Sequence, residues 1–221
     1  MAITMTPRHF EGWKLFAWIT GFSSLAVVLL ATTVDLSTGA GTVSMIRTSV
    51  RLSAPWLLLA FAASSLLALF PNEGTRWLMR NRRIFGLCFA AIMGWQLVFI
   101  LWMFVAHTDF YLDTIHTDAD LLTRIIAYLI LLAMTVTSFA SPRRRIGPRA
   151  WLVLHKFGVY AMWLAIWTSY AEIVFAEPDP PAIAYVYAIT GLAAWMLRVA
   201  AFVQKKVPRL EPHASPSQHN S

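Results

Sequence analysis

Long apolar runs alternate with short polar loops along this chain. Six runs stand out, at 13–34, 53–70, 84–105, 121–139, 151–174 and 183–203. A helix needs roughly 20 mostly apolar residues to cross a bilayer. Each run approaches that length, so the pattern predicts an all-α integral membrane bundle of six transmembrane helices. The first run is too long for the apolar core of a signal peptide, and no small-residue cleavage site follows it closely, so it reads as a retained helix. The expected layout is a cytoplasmic N-terminus at 1–12, a six-helix domain at 13–204 and a disordered cytoplasmic tail at 205–221. No internal repeat is visible.

Composition sharpens that picture. Charged residues make up 13% of the 221, about half the share of an ordinary soluble domain. The net charge of +7 does not point to nucleic acid, because no basic face with interleaved aromatics appears outside the loops. The cations cluster instead in alternate loops. Arg76, Arg80, Arg82 and Arg83 lie between runs two and three, Arg143, Arg144, Arg145 and Arg149 between four and five, and Lys205, Lys206 and Arg209 after six. Acidic residues hold the opposite loops, with Asp109, Asp113, Asp118 and Asp120 in one, and Glu172, Glu177 and Asp179 in the other. The positive-inside rule then puts both termini in the cytoplasm, with Arg47 and Arg51 as outer-side exceptions. The lone Cys88 excludes an intrachain disulfide and reads as packing. There is no flavin or nicotinamide domain and no Gly-rich phosphate loop, so a redox role would need a partner to deliver or accept electrons. No nucleophile or acid–base pair suggests hydrolysis.

Several ordered landmarks carry a resemblance. Arg82-Arg83-Ile84-Phe85-Gly86-Leu87 opens the third run, Thr137-Ser138 closes the fourth, and Trp151-x-x-Leu154-His155-Lys156-x-x-x-Tyr160 opens the fifth. Over roughly 40–175 this series resembles the ferric-reductase-like transmembrane domain family, and within it the haem-binding membrane subunit of bacterial periplasmic methionine sulfoxide reductase systems. The resemblance implies a bacterial inner membrane and b-type haem between helices. It implies transmembrane electron transfer as a non-catalytic subunit of an oxidoreductase, with a redox or periplasmic protein partner.

Carried over residue by residue, His155 matches the inner ligand on helix five. The family's helix-three histidine falls at Gln96. Its outer helix-five histidine falls 13 residues after His155 at Thr168, or 14 after at Ser169. None of these three side chains is an ordinary haem-iron ligand. Two functional classes therefore stay open. One is an electron-transfer subunit with an unorthodox haem on His155. The other is a haem-free scaffold or partner-binding subunit.

Each candidate has a plainer reading. His155 would serve as a hydrogen-bonded interfacial histidine, and Gln96 as an interhelical hydrogen-bonding group. Trp95, Trp163 and Trp167 would fill volume that a haem would otherwise take. His107, three turns beyond Gln96, is an alternative ligand for an outward-shifted haem, with Tyr170 as its partner. The His107–Asp120 loop mixes imidazoles and carboxylates suited to a divalent metal, yet matches no compact metal signature and reads as a solvated loop. The inner arginines serve topology and anionic lipid, or dock an acidic partner or haem propionates.

Overall fold

The computed structural model describes residues 11–114 and 118–206. It is all-α among those residues: α1 (Gly12–Ala31), α2 (Gly39–Leu69), α3 (Glu73–Ala106), the short α4 (Thr108–Thr114), α5 (Asp118–Val136), α6 (Ala140–Ala176) and α7 (Ala182–Lys206). Five of these, α1, α2, α3, α6 and α7, are long and apolar enough to cross a membrane. The fourth apolar run falls on α5, whose apolar part, Leu121–Val136, is shorter than the other five. The chain leaves the helix at Thr137, where the run was expected to continue to 139. Exposed large apolar side chains cover α1, α3, α5, α6 and α7, as lipid-facing surfaces do, whereas the central α2 carries none.

The helices outrun the apolar stretches. α2 begins at Gly39, well before the expected 53, because the Thr38 hydroxyl caps it by accepting from the Gly41 N–H at 3.1 Å. The turn before that cap is drawn tight by Asp35, whose carboxylate accepts from the Ser37 hydroxyl and N–H at 2.6 and 2.9 Å. Those two donors hold the Asp35 carboxyl below the usual carboxylate range. α3 begins in a capping box. Asn72 Oδ1 accepts from the Thr75 N–H, and the Thr75 hydroxyl accepts from the Asn72 N–H, both at 3.0 Å. α6 runs back to Ala140 but kinks at Gly147, whose φ of 77° favours glycine and is followed by Pro148. Part of the expected outer loop is the helix α4, with His116 and the rest of 115–117 outside the described residues. Lys205 and Lys206 belong to the last turn of α7 rather than to a tail, and 207–221 lie outside the described residues.

α2 and α3 form the central hairpin. α1 packs on α3, α6 and α7 close around α2, and α5 lies on α6. One core cluster joins α1, α2 and α3 around Leu15, Phe85 and Ile92. A second joins α2, α3, α5, α6 and α7 around Phe61, Phe89, Trp163 and Ala194. Cys88 is fully buried in the first.

Pro55 sits inside α2 and has no N–H, so the Arg51 carbonyl four residues earlier lacks its helical donor. The Tyr187 hydroxyl of α7 fills that place at 2.6 Å. A local defect in one helix is thus converted into a tie to another.

Candidate functional site

His155 lies on α6, eight residues beyond the Gly147 kink. Its Nε2 is 3.1 Å from the Thr137 hydroxyl, which lies just past the end of α5. The Trp151 ring is 4.6 Å from the imidazole, and the Trp151 indole N–H donates to the Thr137 carbonyl at 3.0 Å. The Arg143 guanidinium lies over the Trp151 ring, 4.0 Å from its centroid. Thr137 is therefore clamped by both aromatic residues of the Trp151–His155 turn. The Thr-Ser end of one helix and the Trp-x-x-Leu-His opening of the next, separate in sequence, form one locking contact.

His155 also lines a cavity of about 460 Å³. Five cationic side chains share its wall: Arg82 and Arg83 from α3, Arg143 and Lys156 from α6, and Arg198 from α7. No carboxylate is among its lining residues. Two of the arginines are fixed in place. Arg82 Nε donates to the Ala60 carbonyl at 2.9 Å. Arg198 donates to the Tyr160 hydroxyl at 2.9 Å and the Phe61 carbonyl at 2.8 Å, with its guanidinium over both rings. Sequence reading passed over Arg198. Its signal was available, since it is a lone cation inside an apolar run and such residues mark functional positions in membranes.

The other candidates are dispersed. The Gln96 carbonyl oxygen accepts from the Tyr128 hydroxyl of α5 at 2.7 Å. The Thr168 and Ser169 hydroxyls turn back onto their own helix, donating to the Leu164 and Ala165 carbonyls at 2.8 Å. Neither Gln96 nor Thr168 lines the cavity that His155 borders. His107 Nε2 is 3.0 Å from the Leu36 carbonyl in the α1–α2 connection. Tyr170, its suggested partner, stacks on Tyr187 of α7 with ring centroids 4.7 Å apart.

Trp163 and Trp167 fill the bundle centre. Trp163 stacks on Phe61 at 5.3 Å and on Trp167 at 5.7 Å. Their indole N–H groups donate to the Gly191 and Ala188 carbonyls of α7 at 2.9 and 3.1 Å. Trp95 faces the opposite way, donating to the Ser24 hydroxyl of α1 at 3.0 Å.

This donor set is a poor match for b-type haem. Low-spin electron-transfer haem needs two strong axial ligands on facing elements. His155 Nε2 is engaged by the Thr137 hydroxyl. Gln96 and Thr168, where the resemblance would put the other ligands, each have their own hydrogen-bond partner. What the cavity offers chemically is concentrated positive charge beside an apolar wall.

Comparison with protein-family models, curated proteins and solved structures finds no match for this chain.

Proposed function

We propose that this chain is a haem-free membrane subunit of ferric-reductase-like descent that acts by binding rather than by electron transfer. The observation that carries the reading is the fate of the ligand positions. His155 is locked to Thr137, Gln96 to Tyr128, and Thr168 to its own helix. The tryptophans between α2, α6 and α7 occupy volume at the centre of the bundle. In this reading α5 is the fourth of six spans, both termini are cytoplasmic, and the membrane is the bacterial inner membrane. The charge alternation of the loops supports that orientation.

One observation favours a second reading, an electron-transfer subunit with a single unorthodox haem. His155 borders a cavity whose arginines suit the propionates of a haem. The two readings part on one comparison. Wild-type protein and a His155→Ala variant, each purified after expression with haem supplied, are expected to have the same featureless visible spectrum. A Soret band present in wild type and lost in the variant would establish the haem reading instead.

A further inference from the structure

We infer that the cationic cavity at the α3–α5–α6–α7 end of the bundle is a specific site for an anionic phospholipid. Its phosphate would be held by the arginines, and an acyl chain would lie in the neighbouring apolar groove. The inference rests on the haem-free reading above, because a haem would compete for the same space.

Charge is the first argument. Arg82, Arg83, Arg143, Lys156 and Arg198 surround one cavity with no lining carboxylate. The ion pair found among the described residues, Arg80–Glu11, lies elsewhere. Like charges gathered beside low-dielectric walls repel one another strongly unless an anion enters. A guanidinium has five N–H donors. Arg82 uses one on the Ala60 carbonyl, and Arg198 uses two on Tyr160 and Phe61. These bonds fix the two groups and leave donors for phosphate oxygens, which planar guanidinium engages two at a time.

Depth is the second argument. Arg82 and Arg83 directly precede the apolar run of α3, and Arg198 lies eight residues before the end of α7 at Lys206. Trp151 lies beside them on α6, at the level where aromatic residues mark the membrane interface. In the topology proposed above, these positions put the cavity near the headgroup level. Basic pockets between helices on the cytoplasmic side are suited to such headgroups.

Shape is the third argument. A second cavity, of about 740 Å³ and almost wholly apolar, lies between α1, α3 and α5. It shares Leu87, Leu131 and Thr135 with the cationic one, so the two adjoin across a common wall. Leu97, Leu129 and Leu132 also line it and are exposed on the helix surface. An anionic head next to an apolar slot is the complement of a phospholipid, whereas a soluble phosphate would use the first half alone.

The test is native mass spectrometry of the full chain extracted from vesicles of mixed phosphatidylglycerol and phosphatidylcholine. One retained phosphatidylglycerol per chain is expected. In Arg83→Gln/Lys156→Gln, which alters two exposed cavity cations, retention should fall about tenfold or more. Arg76→Gln/Arg149→Gln removes the same charge from rim positions outside the cavity and should retain lipid as wild type does. Equal loss in both variants would reduce the effect to general surface attraction and overturn the site. Retained phosphatidylcholine, no retained lipid, or full displacement of phosphatidylglycerol by inorganic phosphate would overturn the lipid assignment while leaving the haem-free reading intact. A retained haem would overturn both.

Discussion

At the scale of single residues, His155 and Gln96 each meet a hydroxyl from α5 or its end, Thr137 and Tyr128. Interhelical hydrogen bonds in membranes contribute about 0.6 kcal/mol on average and up to about 2. His155→Ala and Thr137→Val should therefore be coupled by that order in a double-mutant cycle followed by unfolding in detergent, whereas independent effects would mean the contact carries nothing. Gln96→Leu should cost about 1 kcal/mol, because it leaves the Tyr128 hydroxyl with only the longer 3.3 Å contact to the Met93 carbonyl. Part of this was visible in the sequence. A histidine beside an arginine run and a glutamine inside an apolar one announce themselves. Their partners did not, because Tyr128 lies 32 residues from Gln96 and Thr137 lies 18 from His155, across turns whose geometry no local pattern specifies. Arg198 was legible as a lone cation in an apolar run, but its partners were not. It sits close to the basic end of α7, and only the fold shows that its acceptors are Phe61 and Tyr160.

At the scale of elements, close contacts between helices set the packing. Gly191 on α7 faces Trp167 so closely that an added Cβ would lie 2.7 Å from the ring. Gly191→Leu should push α7 from α6 and destabilise the bundle by about 1–3 kcal/mol, read as a lowered unfolding midpoint; an unchanged midpoint would mean the helices pack elsewhere. The Pro55 tie gives a sharper case. Tyr187→Phe should cost about 1 kcal/mol in the wild-type chain and measurably less beside Pro55→Ala, where a new N–H can serve the Arg51 carbonyl. Equal costs in the two backgrounds would contradict the proposed role. The number of apolar runs was legible in the sequence, but helix ends were not. Hydropathy marks the lipid-facing length, whereas α2 and α6 extend through polar segments set by the Thr38 cap and the Gly147 kink.

At the scale of the whole molecule, the proposed topology turns on α5, whose apolar part is the shortest. The helix of 19 residues reaches roughly 28 Å at the α-helical rise, but its apolar part, Leu121–Val136, reaches only about 24 Å, short of a hydrocarbon core of about 30 Å. Alkaline phosphatase fused after Asp113 should be active, and fused after Ser141 inactive; equal behaviour at both points would mean that α5 does not cross. The central claim is that a bundle with the landmarks of a haem-carrying family works without haem. It is tested most directly by the visible absorption spectrum of the wild-type protein, purified after expression with haem supplied, first oxidised and then reduced with dithionite. The account predicts no Soret band and no reduced α or β bands at full protein yield. A sharp Soret band with resolved α and β bands on reduction would contradict it, and would make His155 an iron ligand in place of a partner to Thr137.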